Sequence, residues 1–179
     1  MEIYIALLRG INVSGQKQIK MTDLKICLEE AGFQKVKTYI QSGNVVFEHE
    51  STNPQLVAGL VEQTILERFG FDIHVRITTA SELKVILETN PYLNGREEDI
   101  KLLYVSFLSE EPAPISIENL QKVNCPEEFR IAGKHLYLFA TNGYGNAKLN
   151  NNLIENKLKL KATTRNWNTI TKLAEMAQA

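Results

Sequence analysis

The sequence predicts an α+β fold made of two ferredoxin-like βαββαβ units in tandem, each with an antiparallel sheet, followed by a C-terminal helix. Three observations predict it. Some apolar runs are continuous, others are apolar at every second position, and helical repeats separate them. A continuous run suits a central strand covered on both faces, whereas alternation suits an edge strand with one face in solvent. The order of these patterns in the first half of the 179 residues returns in the second half.

Ile3-Tyr4-Ile5-Ala6-Leu7-Leu8 is the first continuous run and predicts a central strand. A polar, glycine-containing stretch carries the chain to Lys20. Thr22 is the expected N-cap of a helix whose apolar positions Leu24, Cys27, Leu28 and Ala31 recur at helical spacing and which Gly32 ends. Val36, Thr38 and Ile40 then alternate with Lys37, Tyr39 and Gln41 as an edge strand, and Ser42-Gly43 turns the chain into Val45-Val46-Phe47. A second helix starts near Asn53-Pro54 and repeats Val57, Val61, Ile65 and Phe69. Ile73, Val75 and Ile77, alternating with His74, Arg76 and Thr78, close the unit. With the first and third strands central and the other two at the edges, the sheet order is 4-1-3-2.

A connecting helix with Leu83, Ile86 and Leu87 and a charged loop from Asn94 to Asp99, containing Arg96, Glu97 and Glu98, lead to the continuous run Leu102 to Leu108. A short helix near Ile117 to Val123 follows. Phe129 and Ile131 alternate, Gly133 turns, Leu136 to Ala140 is continuous, and a helix near Leu149 to Leu158 precedes a short strand around Leu160 to Thr163. The terminal helix carries Trp167, Ile170, Leu173, Ala174 and Ala177 on one face. The domain boundaries expected from this pattern are 1–79 for the first unit, 80–100 for the connection and 101–179 for the second unit with its terminal helix.

Composition narrows the class of protein. A hydrophobic content of 44% supports a buried core without staples. Cys27 and Cys125 stand far apart in no CxxC pattern and read as buried or free thiols, not as a disulfide or a metal pair. The start, Met1-Glu2-Ile3-Tyr4, puts no basic region before its short apolar run, and no stretch reaches membrane-spanning length. A cytoplasmic protein is expected. The formal net charge of −1 speaks against a general nucleic-acid binder, although residues 129–174 hold eight Lys or Arg against Glu155 alone, and residues 81–128 hold four basic and ten acidic side chains.

Parallel first and second strands put the loop after the first strand beside the turn after the second. Arg9, Gly10, Asn12 and Lys20 therefore meet Gln41, Ser42, Gly43 and Asn44, in a loop that also contains Ser14, Gly15 and Lys17 and no acid. This composition suits backbone amides approaching an anion, although it matches no Walker or dinucleotide pattern. In the second unit the third and fourth strands share a direction. Gly143, Gly145 and Lys148 thus meet Thr164, Arg165, Asn166 and Trp167, where helix N-termini and two cations favour negative charge. This second edge is the preferred anion site, against an alternative in which Thr164 or Asn166 is only an N-cap and Trp167 belongs to the core. His49, His74 and His135 have no partners at ligand spacing, so no metal is expected and no cofactor is indicated. Ser14 and Ser42 lie outside GxSxG, and no base can be assigned to them.

The words Ala6-Leu7-Leu8-Arg9-Gly10-Ile11-Asn12-Val13, Lys20-Met21, Thr38-Tyr39-Ile40-Gln41-Ser42-Gly43-Asn44-Val45 and Thr163-Thr164-Arg165-Asn166-Trp167-Asn168-Thr169 together resemble an uncharacterised bacterial family, domain of unknown function 1697. The resemblance implies two ferredoxin-like units and no known activity. Before Lys148, where the family usually has a serine, this chain has Ala147, which weakens any mechanism needing a hydroxyl there.

The function these features favour is a binding module for an anionic ligand, either a phosphate-bearing small molecule or single-stranded RNA. RNA is the weaker candidate because the strands lack a clear set of paired surface aromatics. One rival is a small-metabolite enzyme using Arg9, Asn12, Ser42 and Asn44; another is an interaction protein whose glycines only shape turns. Nothing in the sequence speaks to oligomeric state.

Overall fold

A computed structural model of the chain describes residues 1–93 and 99–178. It separates into two compact units, Met1–Val85 with Lys172–Ala179, and Ile86–Thr171. The charged loop expected around Asn94, Arg96, Glu97 and Glu98 lies outside the described residues, and Asp99 caps a short 3-10 turn at Ile100–Leu102.

In the first unit β1 (Glu2–Leu8), α1 (Met21–Glu30), β2 (Gln34–Tyr39), β3 (Asn44–His49), α2 (Pro54–Phe69) and β4 (Val75–Thr78) follow in order, and the antiparallel sheet runs β2-β3-β1-β4. This is the expected 4-1-3-2 order. Tyr4, Ala6 and Leu8 of β1 face a core with Leu24, Leu28, Val57, Val61 and Ile65 of the two helices, while Ile5 and Leu7 on the opposite face are equally buried. Continuous apolarity in β1 therefore reflects burial on both sides. Asn53 caps α2 through Gln55 and Leu56 amides with Pro54 in the first helical position, where its missing N–H costs nothing. Helix α1 ends as expected, with Gly32 N–H donating to Glu29 O and Phe33 N–H to Leu28 O.

Two expectations are corrected here. Helix α1 starts at Met21, with Lys20 in the N-cap position making no side-chain capping bond, so Thr22 lies inside the first turn and does not cap it. Ile40 is not part of the edge strand: it sits at φ +49° in the turn after β2 and is 47% exposed. Strand β2 is also irregular, with a bulge between Gln34 and Lys37.

The second unit repeats the plan. Helix α3 (Ala80–Thr89) is followed by β5 (Leu103–Leu108), α4 (Pro114–Gln121), β6 (Glu128–Ala132), β7 (His135–Phe139), α5 (Asn151–Leu158), β8 (Ala162–Asn166) and α6 (Trp167–Gln178), with sheet order β6-β7-β5-β8. All five residues expected on the apolar face of α6 are buried. Strand β8 begins and ends later than expected, so Thr163, Thr164, Arg165 and Asn166 are strand residues paired to β5. The shift arises because α5 ends on Lys159 at φ +60° and the chain needs Leu160 and Lys161 to turn back.

The duplication is written in matching hydrogen bonds. Leu8 N–H donates to Gly43 O at 2.8 Å and Leu108 N–H to Lys134 O at 2.9 Å; Arg9 N–H donates to His74 O at 2.9 Å and Ser109 N–H to Lys161 O at 3.0 Å. In each unit a glutamate of the second helix accepts the first amide of the fourth strand: Glu62 from Val75 N–H, and Glu155 from Ala162 N–H. Against this common frame the connections differ. After the first strand the chain spends residues 9–20 in the first unit and 109–113 in the second; after the third strand it spends 50–53 in the first and 140–150 in the second.

Gly43 is the tightest point of the first unit. A Cβ there would lie 2.7 Å from Ile11 Cδ1 and 2.8 Å from Leu8 Cβ, at φ +82°. Gly43→Ala is expected to cost about 2–4 kcal/mol, from overpacking plus left-handed strain, and Gly10→Ala, where open space surrounds a φ of +71°, only about 1–2 kcal/mol. Urea unfolding of both variants checks the difference.

Candidate functional site

The loop of residues 9–20 folds onto the turn of residues 40–43, as parallel β1 and β2 require. Ile11 and Ile19 are buried in the first unit's core and pin the loop at both ends. Between them Asn12, at φ +55°, uses both ends of its amide: Oδ1 accepts from Ile19 N–H at 2.8 Å, and Nδ2 donates to Ile19 O at 2.9 Å and Gln41 O at 2.8 Å. A small hairpin closes inside the clasp, with Asn12 N–H on Lys17 O and a bridge between Val13 and Gln16. Lys17 Nζ donates to Asp72 O. Among the described residues, four of the six non-glycine residues with positive φ, Asn12, Ser14, Lys17 and Ile40, fall in this loop and turn. Such conformations persist only where surrounding contacts over-determine them.

Outside the clasp lies an open pocket of about 500 Å³, lined by Asn12, Gly15, Gln18, Ile19, Lys20, Asp23, Gln41 and Phe69. Of the residues singled out from the sequence, Asn12, Lys20 and Gln41 are brought together at this pocket. Arg9, Gly10, Ser42, Gly43 and Asn44 are not among its lining. Arg9 is tied through its backbone to His74, and fully buried Asn44 donates to Tyr39 O and to Ser42 Oγ, which closes the turn. The sequence reading missed Gln18, Asp23 and Phe69. Asp23 enters because α1 starts at Met21, which puts this carboxylate in the first helical turn, one turn on from the Lys20 ammonium. Phe69 was visible as the last member of the α2 stripe, but its meeting with the loop is a long-range contact.

The second unit's long connection is tied inward. Buried Glu127 accepts from Lys148 N–H at 3.1 Å and Leu149 N–H at 3.3 Å, and Lys148 Nζ donates to Asn124 O. A carboxylate of the chain itself therefore sits on the amides ahead of α5. Gly143 N–H returns to Ala140 O, Gly145 lies in a 3-10 turn (Tyr144–Asn146), and Tyr144 stacks on Tyr104 with ring centroids 5.0 Å apart. Thr164 Oγ1 donates to Asn151 Oδ1 at 2.6 Å and shares a 2.6 Å contact with Ser106 Oγ, which joins β8 to the start of α5. Asn166 Oδ1 caps α6 by accepting from Thr169 N–H, and Trp167 is buried. Burial pushes the Arg165 guanidinium down to about 10, with neighbouring Tyr144 opposing, so it stays cationic at neutral pH.

Other chemistry is sparse. Among the described residues no group of three or more His, Cys, Asp or Glu could hold a metal ion, and no helix is long and apolar enough to cross a membrane. Cys27 and Cys125 are free thiols, both pushed up by burial. His74 Nδ1 lies 3.4 Å from Glu62, and His49 Nδ1 accepts from Ser51 N–H.

A family model described as "Protein of unknown function (DUF1697)" matches residues 1–137, which takes in the loop and turn of the first unit and stops short of the word at Thr163–Thr169. The solved structure of the conserved bacterial protein SP0830 from Streptococcus pneumoniae is similar over 100% of this chain and 99% of that one, with a TM-score of 0.76 and 23% sequence identity. At that identity the likeness concerns the fold alone. No curated protein matches the chain.

Because one side chain holds the loop, Asn12→Ala is expected to cost about 2–3 kcal/mol, the loss of its bonds plus a buried Ile19 amide left unsatisfied. Amide hydrogen exchange checks it, with protection lost first in residues 12–19.

Proposed function

The chain belongs to the DUF1697 family of proteins of unknown function, and from its first unit we propose that it is a binding module for an anionic, phosphate-bearing small molecule held at the loop after β1. The observation that carries the proposal is the length of that loop. The second unit closes the same edge of the same fold, through the same two backbone bonds, with residues 109–113, so a connection as long as 9–20 is not needed to close that edge. A long, ordered loop where the fold can close with a short one is a common carrier of function.

The pocket offers the chemistry for such a ligand. Lys20 supplies a full positive charge at the N-terminus of α1, where the first amides and the helix dipole favour an anion. Gln18 and Gln41 add neutral donors, and Asp23 would accept from a ligand hydroxyl or amine, which selects against a bare polyanion. About 500 Å³ suits a nucleotide or a sugar phosphate. The second connection is the less favoured place, since Glu127 already occupies its amides. The proposal keeps the protein in the cytoplasm, where free thiols persist and phosphorylated metabolites are plentiful.

A thermal-shift series with nucleotides, sugar phosphates and short single-stranded RNA tests it. One class of phosphorylated small molecule is expected to raise Tm in a salt-sensitive way, and Lys20→Ala to weaken the binding about ten- to a hundredfold through loss of a charge-assisted bond. Binding that survives Lys20→Ala but disappears with Lys148→Ala and Arg165→Ala would place the ligand in the second unit and overturn the proposal. A response to RNA alone would overturn the choice of ligand class.

A further inference from the structure

The edge of β6, the last strand of its sheet among the described residues, is built differently from the edge of its counterpart β2. In β2 the bulge between Gln34 and Lys37, with Lys35 at φ +50°, breaks the ladder, and exposed Lys35 and Lys37 repel a like edge. These devices prevent strand addition. Strand β6 has no bulge, and its exposed charges, Glu128 and Arg130, are of opposite sign. Its five residues pair with β7 in unbroken register, from Glu128 opposite Phe139 to Ala132 opposite His135. At the other end of this sheet Arg165 Nη1 folds back onto Thr164 O, on the edge strand β8.

The hairpin fixes which groups face outward. A two-residue connection, Gly133-Lys134, closes on the directly hydrogen-bonded pair Ala132 and His135. By the alternation of an antiparallel ladder, Arg130 and Glu128 also turn their N–H and C=O groups towards β7, and Phe129 and Ile131 turn theirs away from the sheet. Against this strand lies an open groove of about 670 Å³, lined by Tyr92, Ile117, Gln121 and Val123 together with Phe129 and Ile131.

The geometry points to a second copy of this chain as that strand, with β6 pairing antiparallel to the β6 of its partner about a two-fold axis at Phe129. The register is self-complementary in two respects. Phe129 meets its own counterpart with the outward N–H and C=O of both copies, forming a hydrogen-bonded pair. Exposed Glu128 then lies opposite Arg130 of the partner subunit, and Arg130 opposite Glu128 of the partner subunit. Both charge pairs fall at non-hydrogen-bonded positions, where opposing side chains approach most closely. The two sheets become one of eight strands, joined by an isologous interface.

Charge reversal tests this without touching the core. The full chain of 20.3 kDa is expected to sediment at twice that mass at tens of micromolar. Glu128→Arg and Arg130→Glu each place two like-charge pairs in the interface and are expected to weaken self-association about tenfold or more, with unchanged circular dichroism. An equimolar mixture of the two variants is expected to dimerise again, because every Arg of one then faces a Glu of the other. A wild-type chain that stays monomeric to several hundred micromolar, alone or carrying an extended peptide, overturns the inference. So does a dimer indifferent to both reversals, or a mixture that fails to re-form one.

Discussion

The first unit depends on one amide. Asn12 sits in a backbone conformation that glycine and asparagine tolerate and most residues do not, and from there it bonds two carbonyls and one N–H. Those three bonds stand in for the secondary structure that a connection of this length otherwise lacks. They fix the distance between the loop and the β2–β3 turn, and so the shape of the pocket outside. Gly43 completes the arrangement by letting the turn approach Ile11 and Leu8 more closely than any side chain permits. A polar clasp over an apolar anchor leaves Gln18, Lys20 and Gln41 pointing from a rigid base, which is what a binding surface needs to avoid the entropy cost of ordering a loop on association.

Duplication gives this arrangement its meaning. The two units share strand order, closing bonds and a glutamate that receives the first amide of the last strand. Each then carries one long connection that the other lacks, at opposite sheet edges. In the second unit that connection is consumed by the chain itself: Glu127 takes its amides, Asn124 takes its lysine, and Tyr104 takes its tyrosine. In the first it remains open to solvent around Lys20. One scaffold thus bears a closed version and an open version of a long connection.

Much of the fold was legible because burial writes itself into spacing. The both-faced run of β1, the fourfold stripe of α2 and the single face of α6 each lie where the residues indicate. Ile40 misled because a β-branched residue in a run of alternating polarity reads as strand, and nothing local announces that the chain turns there. The last strand lies two to three residues later than the Leu160 to Thr163 expected, because no turn-forming residue marks the end of α5; a lysine in the left-handed region turns the chain there instead. The edges that would carry a site followed from topology alone. Their contents did not: Glu127 and Lys148 lie 21 positions apart, and Phe69 reaches the loop only in the folded unit. A helix starting two residues earlier was enough to bring Asp23 to the pocket.

The most direct measurement is an amide-resolved NMR titration of the full chain with a nucleoside diphosphate and a sugar phosphate at low and moderate salt. The account predicts saturable, salt-sensitive shifts concentrated at residues 18–23 and at Gln41, with residues 142–148 and Arg165 unmoved. Shifts confined to the second unit, or scattered over exposed lysines without saturation, would contradict it.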